Sequence, residues 1–451
     1  MSSSAALPLE ETVAPEPIHR EEQTSPSAAW GPVKRFFLRF GFAYFLFMML
    51  PFDVAVLPFG RVLLKPYETL WESVGTSVGL QVFGVTVTII PNNGSGDTTY
   101  DYVRTFCHLV LAGLLGLLWT ILDKKRERDP RLHEWFRVYL RFSLAVAMIV
   151  YGTIKLIPTQ FGVIGFRRLL QPFGEASPMG LLWAFMAASP PYTAFTGAVE
   201  TLGGVLLIPR RTTLLGALVS AGAMLQVLVL NLCYDVPVKL FSANLLAMAL
   251  LLAAPDLRRL TDLFLFNRRV EPAEIRPLFA RRRLNRAAAM VWGLGLAAFT
   301  VFSLYGAYQA NKTYAHLAPK PPLYGAWEVE EFVMDGSVRP PLLTDTERWR
   351  QVVFEYPDYV SFQLMQKSEG RSRRNYGLKL DSTKKTLTLQ TLDTAKKETV
   401  FSYRQPEPGI LTLEGTLEGK EIRARLRRID ESEFLLVSRG FHWINETPFN
   451  R

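Results

Sequence analysis

The chain reads as a membrane all-α part of about seven transmembrane helices, followed by a C-terminal antiparallel β-barrel or meander domain. Three observations carry this. Seven apolar stretches between residues 36 and 308 are long enough to cross a bilayer as helices, and the basic clusters between them fall on one side of the alternation they define. After the linker Ala318-Pro319-Lys320-Pro321-Pro322, the apolar period changes from that of a helix to that of a strand.

A bilayer core demands about 17 to 25 apolar residues, because each helical residue advances only about 1.5 Å. The stretches 36–57, 103–122, 136–157, 192–208, 213–233, 238–254 and 287–308 meet or approach this. Alternating them places Lys34/Arg35, the run Lys124–Arg128, Arg210/Arg211, Arg258/Arg259 and Arg281–Arg283 on one face. The positive-inside rule makes that face cytoplasmic, with the N-terminus inside and everything after residue 308 outside. Residues 31–319 carry 29 Lys and Arg against 16 Asp and Glu, whereas residues 320–451 carry 21 against 20. The excess sits beside membrane spans, where orientation and anionic lipid account for it, and no recognition motif accompanies it, so nucleic-acid binding is excluded.

The domain plan follows in order. Residues 1–33, rich in Ser, Pro, Ala and Glu at the start, are too poor in large apolar side chains to offset the entropy of ordering and are expected as a disordered cytoplasmic tail. The first apolar run begins at Phe36 and is too long for a signal peptide, so it stays as an uncleaved anchor. Residues 34–135 hold two spans around an exterior loop with a β-like stretch, 81–90, and then the turn-rich Pro91–Asp97, in which Gly94, Gly96 and Asp97 read as an exposed turn rather than a ligand loop. Residues 136–255 hold the four-helix membrane bundle, 256–286 a basic cytoplasmic loop, 287–308 the seventh span, 309–322 the linker and 323–451 the β domain. Within the loop 158–191, the apolar run 179–188 is too short to cross and is expected as an interfacial or re-entrant helix.

Ionisable groups at membrane depth are costly and face a bundle interior or an aqueous cavity, so they are where chemistry is sought. The polar groups in or beside the spans are Arg141, Lys155, Glu200, Gln226, Asn231, Asp235, Lys239 and Asn244. Of these, Lys155, Glu200, Asn231, Asp235 and Lys239 form the candidate intramembrane polar site. Lys155 lies near the outer end of its span, where snorkelling to the headgroups is the plain alternative. Glu200 stands half-way along the fourth span among small residues that let helices approach closely, which suits either a functional site or a structural interhelical pair. Asp235 and Lys239 flank Pro237 and read as a loop ion pair rather than a catalytic dyad. The catalytic residues, if any, are not legible.

The run Arg141 to Phe161, with Tyr151, Gly152, Lys155, Pro158, Gln160 and Phe161, followed by Glu200, Gly203, Gly204 and Asn231, resembles the DoxX-like integral membrane protein family. The resemblance implies a four-helix bundle over about residues 136–255. The family includes a subunit of an archaeal thiosulfate:quinone oxidoreductase, so the resemblance brings in a quinone as the cofactor to consider. The whole arrangement is similar to longer bacterial DoxX-like proteins ending in a Gly-Phe-His-Trp-Ile-Asn segment, here Gly440 to Asn445.

In the β domain the segments 327–333, 349–356, 359–366, 376–380, 386–392, 399–403, 410–417, 421–429 and 433–437 are short, alternating and separated by turn residues. Gly325-Ala326-Trp327 looks like the Gly-X-Trp start of lipocalin-like barrels. That resemblance implies an arginine near the last strand packed over the tryptophan, for which Arg439 is the candidate by position. Small barrels either hold one ligand or are filled by side chains. The two cysteines, Cys107 and Cys233, are expected as unrelated buried thiols. The five histidines lack metal-ligand spacing, and no metal site is expected.

The expected function is that of a DoxX-like integral membrane protein of the bacterial inner membrane, acting as a quinone-linked redox accessory with a periplasmic or extracellular β domain that binds a ligand or partner. The alternative is a non-catalytic envelope protein that binds or moves lipid-like molecules. The expected partners are the lipid bilayer, a quinone or lipid-like ligand and an envelope protein.

Overall fold

The computed structural model describes residues 30–91, 93–123, 130–272, 279–368, 371–393 and 396–450. The expected tail before residue 30, the basic run Lys124–Arg128 and residues 273–278 of the basic connection lie outside the described residues.

The helices are α1 (Pro32–Ala55), α2 (Gly60–Phe83), α3 (Thr99–Leu122), α4 (Pro130–Leu156), α5 (Phe166–Leu169), α6 (Pro178–Ala188), α7 (Pro190–Leu207), α8 (Thr213–Cys233), α9 (Lys239–Ala253), α10 (Leu257–Phe264) and α11 (Arg282–Tyr314). Among the described residues, six helices are long and apolar enough to cross a membrane: α1, α3, α4, α8, the continuous α9–α10 unit and α11. Each of the seven expected stretches is helical, but α7, the fourth, is not among the six. Its two prolines, three threonines, three glycines and Glu200 make it too polar.

The exterior loop differs from expectation. The β-like stretch 81–90 forms no strand; its first three residues complete α2, a helix with polar positions along its length. Gly84, at φ +66°, ends that helix, and the N–H groups of Gly84 and Val85 donate to the Leu80 and Gly79 carbonyls. A strand needs a neighbour to take its backbone groups, and among the described residues no strand pairs with this segment, so valine and threonine content alone did not make one.

Helix α4 is the hub of the bundle. It runs antiparallel to α7, α7 to α8 and α8 to α9, while α1 and α11 flank α4. Leu140, Leu144, Met148, Ile149, Leu207, Met224 and Met248 fill the common core. Close approach is set by glycine at two places in particular. A Cβ on Gly152 would lie 2.6 Å from the Thr201 nitrogen, and one on Gly197 would lie 2.3 Å from the Leu156 nitrogen, so α4 and α7 touch backbone to backbone.

The C-terminal strands are β1 (Gly325–Met334), β2 (Ser337–Val338), β3 (Trp349–Tyr356), β4 (Tyr359–Ser368), β5 (Arg371–Asp381), β6 (Thr386–Thr391), β7 (Glu398–Arg404), β8 (Ile410–Leu417) and β9 (Lys420–Arg428). All pairings are antiparallel, and β1 also pairs with β9, which closes eight strands into a barrel; β2 is a short hairpin return on β1. The interior is packed with rings: Trp349 lies 4.4 Å from Phe362, 5.3 Å from Phe332 and 6.0 Å from Phe401, centroid to centroid. Side chains therefore fill this barrel.

Two barrel expectations are corrected. The segment 433–437 is not a ninth alternating strand; it lies across a 3-10 turn, Glu431–Glu433, and the short helix α12 (Leu435–Ser438). With β9 already hydrogen-bonded to β1, no edge remains for it to join. Consequently Arg439 does not cover Trp327. It lies 3.9 Å from the Phe449 ring and donates to Asn445 in the C-terminal segment. The arginine opposite Trp327 is Arg428, its cross-strand partner in β9, whose Nε would lie 3.1 Å from a Cβ on Gly325. Gly325 adopts φ +146°, which a side chain would strain, and the Trp327 indole, 2% exposed, donates to the Leu323 carbonyl at 3.0 Å.

Sequence reading did not single out Arg348, which is 2% exposed just before β3. It donates to the carbonyls of Val329, Arg339 and Trp349 at 3.0 to 3.1 Å. The β1–β9 register slips between Val329 and Glu331, and this guanidinium serves a carbonyl that the bulge exposes.

Candidate functional site

The polar centre of the helical part is the pair formed by Lys155 and Glu200. Lys155 is the last residue but one of α4, and Glu200 lies one turn beyond Gly197 on α7, so the glycine contact brings the ammonium onto the carboxylate. Lys155 Nζ donates to Glu200 Oε1, and the residues are 7% and 3% exposed. Burying two charges costs several kcal/mol per ion, recovered only by good mutual geometry, so each partner depends on the other. Pairing is incomplete on the acid side. Glu200 Oε2 and the neighbouring Thr201 hydroxyl are buried without a hydrogen-bond partner.

The other three expected site residues lie elsewhere. Asn231, near the end of α8, donates to the Ser242 hydroxyl at 3.0 Å and joins α8 to α9. Lys239 donates to Asp235 at 3.0 Å, with the aspartate side chain 87% exposed, which is the loop ion pair rather than a dyad. Among the described residues, no hydrogen bond or ion pair connects these three to Lys155 or Glu200.

Asp97, read from sequence as part of an exposed turn, is instead buried and structural. Its carboxylate accepts the N–H groups of Lys239 at 2.6 Å and Leu240 at 2.9 Å, capping α9 from a distant loop. Val238, the residue at the cap position, has no side chain able to do this. The only sequence signal was an α9 start lacking its own cap.

Three further polar contacts lie in the bundle, of which sequence reading had named only the Arg141 side chain and none of the partners. Arg39, fully buried in α1, donates to the Trp119 carbonyl at 2.8 Å and pairs with Asp123 at 3.0 Å, closing the C-terminal end of α3. Arg141 does the same for α7, donating to the carbonyls of Leu207 and Ile208 at 3.0 and 2.8 Å. Asp53 accepts from the Ser143 hydroxyl at 2.6 Å and the Tyr139 hydroxyl at 3.1 Å, joining α1 to α4. Arg39 and Asp53 sit close to the ends of an apolar run, where sequence alone reads them as flanks.

A lateral groove of about 330 Å³ opens between α4, the end of α7 and the start of α11. Val138, Phe142, Ala145, Leu207, Trp292 and Leu296 wall it, with Arg141, Arg210 and Asn285 also lining it. Cys107 and Cys233 are free thiols, but neither is buried as expected: Cys107 is half-buried and Cys233 exposed, each lying on an outward helix face. Among the described residues no three His, Cys, Asp or Glu side chains group as a metal site.

These features define a class of protein: a polar-centred helical bundle with six membrane-length apolar helices, joined to a closed eight-stranded β-barrel. The chain is 32% identical over 149 residues to the uncharacterized protein YwoB of Bacillus subtilis (strain 168), a match covering 32% of this chain and 88% of the relative, and it belongs to that protein's family. No family model and no solved structure matches the chain.

Proposed function

We propose that this is a multi-pass envelope membrane protein with a DoxX-like bundle that binds or moves lipid-like molecules, its basic helix ends facing the cytoplasm and its barrel the exterior, with α7, packed antiparallel between α4 and α8, as a seventh crossing shielded by its neighbours. The observation that carries this reading is the lateral groove: apolar walls suit an acyl chain, and Arg141 and Arg210 suit an anionic headgroup. A quinone-linked redox accessory is the second reading. The unpartnered Glu200 Oε2 and Thr201 hydroxyl support it, because a buried acceptor and donor suit a quinol hydroxyl and a quinone carbonyl. In the first reading Lys155 and Glu200 are a structural tie.

Purification in mild detergent followed by mass spectrometry of retained small molecules separates the two. Phospholipid should be retained, and Gly293→Leu, which extends a side chain into groove space where nothing lies within 4 Å of a Cβ, should deplete it. Copurified quinone that disappears in Glu200→Gln but persists in Asp235→Asn would overturn the lipid reading in favour of the redox one. Reporter fusions after Arg128 and after Lys320 should read cytoplasm and exterior.

A further inference from the structure

The barrel is seated on the connection between α4 and α6. Phe166 of α5 lies against Tyr324 at 5.4 Å and Phe434 at 6.2 Å, and packs with Ala326, Val353 and Ile429 on the barrel's outer wall. Beside this apolar contact lies a cleft of about 440 Å³, beyond the C-terminal end of α4, whereas the lateral groove lies along residues 138–145 of α4, and the two share no lining residue. Its walls carry Arg167 and Arg168 from the connection and Arg373 from β5, against Glu175 and Glu355. Cations therefore outnumber acids.

The cations are also poorly neutralised. Arg168 donates to Gln171, and Arg167 stacks 5.2 Å over the Tyr359 ring, yet Arg167 Nε is buried without a hydrogen-bond partner. Among the described residues, neither Arg167 nor Arg373 forms an ion pair within 4 Å. Burial, and after it the charge of Arg167, pushes the Arg373 guanidinium down. Burial pushes the Glu355 carboxyl up, while Arg167 and Arg373 and a hydrogen bond from the Phe166 N–H hold it back. Glu355 comes this close because residue 165 is glycine; a Cβ there would fall 1.3 Å from its Oε1. Glu175 and Glu355 offset two of the three guanidinium charges, so the cavity keeps an excess of one positive charge and holds three guanidinium groups that repel each other.

We propose that this cleft binds a phosphate group, held by Arg167, Arg168 and Arg373, and that its occupancy fastens the barrel to the helical part. Phosphate fits because guanidinium forks match its oxygens in pairs and the cleft keeps a net positive charge over its two carboxylates. The phosphate has two sources by chemistry: a free phosphorylated solute or a lipid headgroup. The membrane-proximal lining bears on the second, since Trp183 of α6 and Phe161 meet edge to face at 5.2 Å, as amphipathic rings do at an interface.

The test uses the full chain in nanodiscs of phosphatidylcholine, titrated with inorganic phosphate, and in parallel in nanodiscs containing phosphatidic acid. Hydrogen exchange over residues 165–177 is the readout. Slower exchange with inorganic phosphate supports a free phosphorylated ligand, and slower exchange only with phosphatidic acid supports a lipid headgroup. Arg373→Gln should weaken either effect by roughly tenfold or more, and Arg167→Lys, which keeps the charge but loses the fork, by less. Arg425→Gln removes a cation on β9, outside the cleft, and should respond like the parent. Unchanged exchange in both titrations overturns the proposal, as does an Arg373→Gln variant with parental response. The lateral groove and its Gly293→Leu variant stand or fall separately.

Discussion

The helical part and the barrel solve the burial problem in opposite ways. In the barrel the buried side chains are overwhelmingly rings and branched aliphatics, the backbone is satisfied by a closed ladder, and the conspicuous buried charge, Arg348, is spent on backbone carbonyls. In the helical part backbone groups are satisfied within each helix. What joins the helices is close glycine contact and long-range polar ties: Lys155 with Glu200, Asp53 with Ser143, Tyr44 with Asn244 and Arg39 with Asp123. Water drives the barrel core together but gives no such drive between helices in lipid, so the bundle needs close packing and polar ties for its specificity. The barrel should thus stand alone, while the bundle should fail wherever a tie is cut on one side.

The largest expected effect breaks the barrel. A fragment from residue 323 to 451 should be soluble, β-rich and cooperative in its melt, and Trp327→Ala should destabilise it by roughly 3 to 5 kcal/mol, because the ring is buried among the core strands. A fragment that stays unfolded in the cold would show instead that the seat on α5 is needed for folding. Cutting the central tie of the bundle should be comparably severe: Lys155→Met leaves Glu200 buried and unpaired and should cost about 3 to 5 kcal/mol in a detergent melt. Adding Glu200→Leu to it should recover most of that loss, and an equally unstable double variant would contradict a simple pair.

Arg348→Met probes the buried cation in the barrel, where it should cost about 1 to 3 kcal/mol by stranding bulge carbonyls. A denaturant midpoint close to that of the parent would mean that water replaces the guanidinium. Removal of the α9 cap by Asp97→Ala should cost about 1 kcal/mol. Smallest of all, Asp235→Asn should change the melt by less than about 1 kcal/mol, since that carboxylate is solvated.

Much of the architecture was legible because its signals are local. Eight of the nine expected strand segments are present, since alternation along a few residues reflects the face each side chain takes. The extra segment, 433–437, has the right alternation but no free edge, and the β-like 81–90 has the right composition but no neighbour. Both depended on pairing, which periodicity does not encode. At the site, Lys155 and Glu200 were legible one by one as costly residues in apolar surroundings. Asp97 was not, because a short Gly-rich turn ending in aspartate looks the same whether it faces solvent or caps a helix far away in the chain.

By itself the sequence determined where the helices and strands lie, where the basic ends fall and which ionisable groups are out of place in apolar runs, because hydrophobic period and the cost of burying charge act on each segment alone. Only the tertiary structure decided the partners. It joined Lys155 to Glu200, 45 residues away, and Asp97 to the start of α9, 142 residues away. It set Arg428 rather than Arg439 opposite Trp327, and brought Arg373 of the barrel to the arginines of the α4–α6 connection. Such contacts arise when whole faces pack, and their energy belongs to the pair rather than to either residue's surroundings in the chain.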